Sequence, residues 1–222
     1  MIAGPGTRLD LWEFPTGFTL MRWALYLGAA SAALGIIAVL IPKVRKHHLA
    51  AILLAIAIGV LTVAPIALQV QKARSLPFIH DVTTDTENPP AFVDVAPLRA
   101  DAPNPVAYAG DEVAKLQREG YPDIQSLNVP QSPSVVFARA RDVVEALGWD
   151  KVAAVESEGR IEATDTTFWF GFKDDVIIRI KAEGSGSVVD LRSKSRVGGS
   201  DIGANAARIE RYLDALSDRL GI

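Results

Sequence analysis

The sequence predicts an α+β protein: a two-helix transmembrane hairpin followed by a two-layer domain, an antiparallel sheet of about four strands packed against two helices. Three observations carry this expectation. Two uncharged apolar runs, Trp23 to Ile41 and Leu49 to Leu68, are 19 and 20 residues long. Each spans roughly 30 Å as a helix, the thickness of a bilayer's hydrocarbon core. The last ninety or so residues change period from helix to strand and back. Between the two regions lies a Pro-rich stretch with no sustained period.

The elements follow in chain order. Residues 1–19 form an N-terminal tail, in which "GTRLDLWEFPTGF" is no simple basic leader. Residues 20–70 hold the two membrane helices, about 20–41 and 49–68, joined by the short basic link "PKVRKHH". Such helices explain why the chain is 49% hydrophobic. Neither run keeps a polar face, as a helix at the surface of a soluble domain would. Lys43, Arg45 and Lys46 in the link outnumber the cations on either outer flank. Positive charge in short loops is retained in the cytoplasm, so both termini and everything after residue 69 are expected outside, the periplasmic side of an inner membrane. Small residues recur at four-residue spacing: Gly28 with Ala32, Ser31 with Gly35, and Ala51 with Ala55 and Gly59. They suit close packing, either of the hairpin on itself or on another membrane protein.

Residues 71–131 read as an extended strap. Prolines 89, 90, 97, 103 and 105 forbid a long helix there, leaving a short strand at Phe92–Val95 and one or two helical turns in "DEVAKLQREG". Residues 132–222 form the α+β domain. Ser132 and Pro133 start a helix with Val136, Phe137, Ala140, Val143, Val144 and Leu147 on its apolar stripe, and Gly148 ends it. Strands follow in "WDKVAAVE", "GRIEAT", "DVIIRIKA" and "VVDLRSKSRV", the last two separated by the glycine turn "EGSGS". Ser200 or Asp201 then caps a helix striped by Ile202, Ala206, Ile209, Leu213, Leu216 and Leu220. One sheet face covered by two helices gives the two-layer arrangement.

Composition excludes several chemistries. The chain has no cysteine, which removes disulfides, thiol catalysis, cysteine-held metal and a lipobox. From residue 69 onward there are 18 basic and 24 acidic residues, a net charge of −6, so nucleic acid is not an expected partner. No ionisable residue interrupts either apolar run, so neither carries an ion or proton path.

Three clusters could bind or react. His80, Asp81, Asp85 and Glu87 are the sole ligand-like group, yet Asp, Thr and Asn also cap their own turns. No metal and no cofactor are expected. The aromatic stretch "TTFWFGFKDD" alternates Phe168, Phe170 and Phe172 with Trp169 and Gly171. Core strand is the first reading; a lipid headgroup region or a partner groove is the second. Arg192, Lys194 and Arg196 share one strand face, with Arg179 and Lys181 on the neighbouring strand. Such a row is ordinarily a solvated sheet face, and otherwise receives phosphate or carboxylate from lipid or protein.

The segments "FIHDVTTDTENPPAFV", "NPVAYAG", "YPDIQ", "ATDTTFWFGFKDDVIIRI" and "SKSRVGGSDIGANAARIERYLDAL" together resemble domain-of-unknown-function family 1499, from about residue 77 to the C-terminus. The resemblance implies a domain behind a membrane anchor or targeting segment, in bacteria or plastids. It brings no reaction and hence no catalytic residue. The family's hallmark segments fall on His80 to Pro90, Thr164 to Asp175 and Ser193 to Asn205. His80, Asp81, Thr84, Asp85, Glu87, Asn88, Pro89 and Pro90 are thus a strap signature, expected to dock on the domain through turns and to bury Phe78, Ile79 and Phe92. The helix, strands, helix order also looks like the helix-grip modules in the lipoprotein subunit of the outer-membrane β-barrel assembly machine, which implies a binding domain without catalysis.

The functional expectation is a membrane-anchored, non-enzymatic accessory protein. Its exterior domain would engage an integral membrane complex or envelope protein, and its hairpin the lipid bilayer. The alternative is a lipid or small amphiphile held between the sheet and the last helix. A remote alternative is a hydrolase or metal enzyme centred on His80.

Overall fold

A computed structural model describes residues 2–222, and statements of absence below concern these described residues. The chain divides into two compact units. One runs to Ser75 and includes Trp169–Gly171; the other comprises Leu76–Phe168 and Phe172–Ile222.

In the first unit, a short helix α1 (Ala3–Arg8) precedes α2 (Phe14–Leu40) and α3 (Pro42–Ser75). Trp12 turns back on α1, donating its indole N–H to the Ala3 carbonyl at 3.1 Å. α2 starts before its apolar run and stops at Leu40, one residue short of the run's end, while α3 extends beyond its run at both ends. The basic link is not a loop: only Ile41 is non-helical between α2 and α3, and "PKVRKHH" forms a first helical piece that breaks at His48 (φ −131°). Both helices are long and apolar enough to cross a membrane. Their large side chains face outward, as at Leu27, Leu34, Leu40, Leu54 and Leu61.

The small residues face inward instead. A Cβ on Gly59 would lie 2.6 Å from the Gly28 carbonyl oxygen and 2.8 Å from the Ala32 nitrogen, so only glycine permits this approach. Gly35 sits against Ile56, and the Ser31 hydroxyl donates to the Ala55 carbonyl across the hairpin at 3.1 Å. The small-residue pattern is therefore used by the hairpin on itself.

In the second unit the sheet has six strands, two more than expected: β1 (Asp81–Thr83), β2 (Leu127–Val129), β3 (Asp150–Val155), β4 (Arg160–Thr166), β5 (Lys173–Glu183) and β6 (Gly186–Ser195). All pairings are antiparallel. The order is β1-β6-β5-β4-β3, and β2 also pairs with β6, so two short strands in tandem cover one β6 edge. Both come from the strap, where three-residue strands leave no period to read. α4 (Asp111–Gly120) is longer than one or two turns, while Phe92–Val95 forms no strand.

α5 (Pro133–Ala146) and α6 (Ala204–Leu220) cover one sheet face, giving the α+β arrangement. Ser132 is the N-cap of α5 and Gly148 follows it at φ +71°, as expected. The core between helices and sheet is filled by Val136, Ala140, Val143, Ile161, Ile178, Leu191, Ile209, Tyr212 and Leu216, all at 0% exposure. Tyr212 stacks on Trp149 at 5.5 Å and donates its hydroxyl to the Ala140 carbonyl. Ile202 is not on the α6 stripe: it precedes the helix with φ +53°, a costly conformation for a β-branched residue. Asp201 does cap the start, accepting N–H bonds from Gly203 and Asn205.

Candidate functional site

Side chains alternate along a strand, so β6 sends Val189, Leu191 and Ser193 toward the helices and Asp190, Arg192 and Lys194 to the opposite face. That opposite face is where the basic row was expected to meet solvent. It does not: Arg192 and Lys194 are 2% and 1% exposed. The strap lies over them, because its carbonyls and carboxylates supply what water would have supplied.

Asp81 is the hub. Its carboxylate accepts from Arg192 through Nε at 2.9 Å and Nη2 at 2.8 Å, and from Lys194 Nζ at 2.8 Å. Arg192 also donates to the carbonyls of Pro90 and Val106, and Lys194 to that of Ala107. The rings of Phe92 and Tyr108 lie 5.0 and 5.4 Å from the Arg192 guanidinium. Burial pulls the Lys194 ammonium below its ordinary value, against the attraction of Asp81.

Asp175 on β5 is a second hub. Arg196 grips it with Nε at 2.9 Å and Nη2 at 2.8 Å, Arg99 from the strap adds a bond at 3.1 Å, and Thr164 donates at 2.7 Å. Arg179 joins Asp190 at 2.7 Å to Asp85 of the strap at 2.9 Å. Glu162, fully buried on β4, accepts the backbone N–H groups of Val93, Asp94 and Val95 and an Arg160 bond at 2.6 Å. The expected strand at Phe92–Val95 is thus a backbone nest around a carboxylate, a curvature incompatible with an extended ladder. Arg179, Arg192, Lys194 and Arg196 each have a carboxylate from the chain itself, whereas Lys181 is exposed as expected.

The sheet's helix-facing side has its own polar cluster. Arg208 of α6 donates to Asp165 at 2.8 Å, Asp174 at 2.6 Å and the Asn205 side-chain Oδ1 at 2.7 Å. Burial pushes the Asp174 carboxyl above its usual range, although Arg208 opposes this. Asn205 bonds the Ser193 and Ser195 hydroxyls and the His80 carbonyl, tying α6 to β6 and the strap.

The His80 group is not brought together. His80 is half-buried with Nδ1 3.4 Å from the Gly199 carbonyl oxygen. Asp81 points into the cation pair described above. Asp85 accepts from the backbone of Glu87 and Asn88, the turn chemistry expected of this stretch, and Glu87 pairs with Arg118 at the surface. Thr84 bonds the β6 backbone at Leu191, and Pro89 and Pro90 carry the chain onward over Arg192. Ile79 and Phe92 are buried as expected, but Phe78 is 76% exposed. Its aromatic ring stands beside Gly199, where a Cβ would touch it at 2.9 Å.

The aromatic stretch is not a core strand. β4 ends at Thr166 and β5 begins at Lys173, so Phe168 to Phe172 form the connection. The Phe172 N–H bonds the Thr167 hydroxyl and Gly171 takes φ +70°, closing the turn. Phe168 is 81% exposed. Trp169–Gly171 group with the first unit, where Phe170 and Phe18 lie 5.3 Å apart, ring to ring. Sequence reasoning missed Arg99, Asp175, Glu162, Asp190 and Gln117. Alternation would have placed Asp190 on the face of Arg192; nothing local marks Gln117, whose amide both accepts from the Thr83 N–H and donates to its carbonyl, closing the free edge of β1.

By register, Phe78 before β1, Leu98 beside Arg196, and Phe168 after β4 lie at the same end of the sheet, where β6 finishes. All three are exposed. This apolar end and the strap-covered charge face are the two features that distinguish the domain from a plain packed sheet. A search of curated proteins finds no match to the chain. Residues 81–216, which include β1 and most of α6, match the family described as protein of unknown function (DUF1499), and the chain belongs to that family.

Proposed function

We propose that this is a membrane-anchored, non-enzymatic interaction protein whose exterior domain docks a membrane or envelope protein complex through the apolar end of its sheet. The observation that carries this reading is the exposure of Phe78, Leu98 and Phe168 at one end of a domain whose Arg192, Lys194 and Arg196 are already paired with its own carboxylates. Large exposed aromatics are typical anchors of protein interfaces, and a face with its cations already satisfied offers little to an anionic ligand. Two helices of 27 and 34 residues, with apolar surfaces turned outward, support anchoring. The basic piece at Lys43, Arg45 and Lys46 supports a cytoplasmic turn, with the domain on the periplasmic side of an inner membrane.

The filled interior between sheet and α6 favours this over the alternative of an enclosed lipid or amphiphile site, since Ile209, Tyr212 and Leu216 leave no exposed wall there. The dispersal of His80, Asp81, Asp85 and Glu87 favours it over a hydrolase or metal enzyme.

Purification of the full chain from its native membranes in mild detergent, followed by quantitative mass spectrometry, tests the reading. A reproducible set of membrane or envelope proteins is expected with the wild type and lost with the double variant Phe78→Glu, Phe168→Glu. Both sites are exposed, so circular dichroism should be unchanged. A wild-type protein that repeatedly comes alone, or a partner set indifferent to the variant, overturns it.

A further inference from the structure

We propose that the helical hairpin holds one anionic phospholipid in a groove at its Arg74 end, an inference that rests on the membrane-anchored reading above. The groove, about 490 Å³, lies between α2 and α3 and is lined by Leu25, Ile66, Ala67, Val70, Gln71 and Arg74. Ile66, Val70 and Arg74 are spaced four apart, as are Ala67 and Gln71, so they share one side of α3. Along that side the lining changes from aliphatic to polar within two turns. An acyl chain fits the first part; a phosphate, accepting from the Gln71 amide and the Arg74 guanidinium, fits the second.

Charge selects the headgroup. Residues 14–75 contain Arg22, Lys43, Arg45, Lys46, Lys72 and Arg74 and no Asp or Glu. Nothing on either helix therefore competes with a lipid phosphate for Arg74, and Lys72 and Arg22 add to the local positive field. A zwitterionic lipid satisfies the apolar part equally but brings its own cation toward Arg74.

Full-length protein in mild detergent, delipidated and offered equal amounts of phosphatidylglycerol and phosphatidylcholine, provides the test by native mass spectrometry. One retained phosphatidylglycerol is expected, favoured by about fivefold, the effect of a single cation at a lipid surface. Arg74→Gln should abolish the preference. Ala67→Phe, which fills the groove, should abolish retention while leaving Arg74 in place. Arg45→Gln, at the far end of the hairpin, should change neither. Equal retention of the two lipids, or an unchanged preference in either groove variant, overturns the site. Flotation of the wild type with liposomes separates the premise: failure to float overturns the membrane reading and the site with it, whereas flotation without headgroup preference overturns the site alone.

Discussion

Asp81 holds two buried cations at once, with Arg192 in a two-pronged grip and Lys194 on the same oxygen. An arrangement of this kind adds little net stability over an apolar equivalent, yet removing one partner leaves charge stranded in a dry interior. Asp81→Asn is therefore expected to destabilise the domain by about 3–5 kcal/mol, read as a lowered midpoint in chemical denaturation of the full chain. Adding Lys194→Met to that variant should restore part of the loss, because one of the two stranded charges is then gone. A midpoint unchanged by Asp81→Asn would show that the strap contributes no stability through this pair. Local strain adds to the picture at Ile202, whose left-handed backbone is held between the Asp201 cap and the start of α6.

At the scale of elements, the α2–α3 pair depends on absent side chains. Gly28, Gly35 and Gly59 let the backbones meet, and the Ser31 to Ala55 hydrogen bond marks the closest register. Because the chain has no native cysteine, Ser31→Cys with Ala55→Cys gives a clean reporter. Oxidation in membranes should form the intramolecular disulfide in most molecules, visible as a mobility shift reversed by reductant. Introducing Gly59→Val in the same background should suppress it strongly, since the added atoms meet the Gly28 carbonyl and Ala32. Efficient crosslinking despite Gly59→Val would mean that the helices pack in another register. The strap behaves differently from the hairpin: it is pinned by Asp85–Arg179, Arg99–Asp175 and the Glu162 nest rather than by apolar contact alone.

Across the whole molecule, buried phenols set the alkaline limit. Burial raises the Tyr108 and Tyr121 hydroxyls to about 12 from an ordinary 10, and raises Tyr212 further. Between pH 10 and 12 the unfolded chain therefore releases these protons while the folded one keeps them. The folded state binds more protons in that window, so stability falls as pH rises through it and is fully retained below pH 10. Phenolate absorbance should accordingly appear for these residues together with loss of structure, as one cooperative step above pH 10. Replacing Tyr212 with Phe should make that step shallower. Smooth ionisation of all tyrosines near pH 10 in a still-folded protein would contradict the burial.

Sequence by itself determined the two long apolar helices, α5, α6 and strands β3 to β6, because each is written in a local period or a cap that survives without tertiary context. It also marked residues 78–92 as specified chain, through Asp and Thr turn chemistry that the structure retains at Asp85. Only the tertiary structure decided what that chain covers. β1 pairs with β6 across more than a hundred residues, and a three-residue strand has no pattern of its own to announce the pairing. The Arg192–Lys194–Arg196 row looked solvated because its partners, Asp81, Asp175 and the strap carbonyls, lie far away in sequence. The aromatic stretch looked like a strand because it alternates, until Gly171 and Thr167 closed it into a turn. Periodicity reports which side of an element a residue occupies; what meets that side is decided by chain that comes from elsewhere.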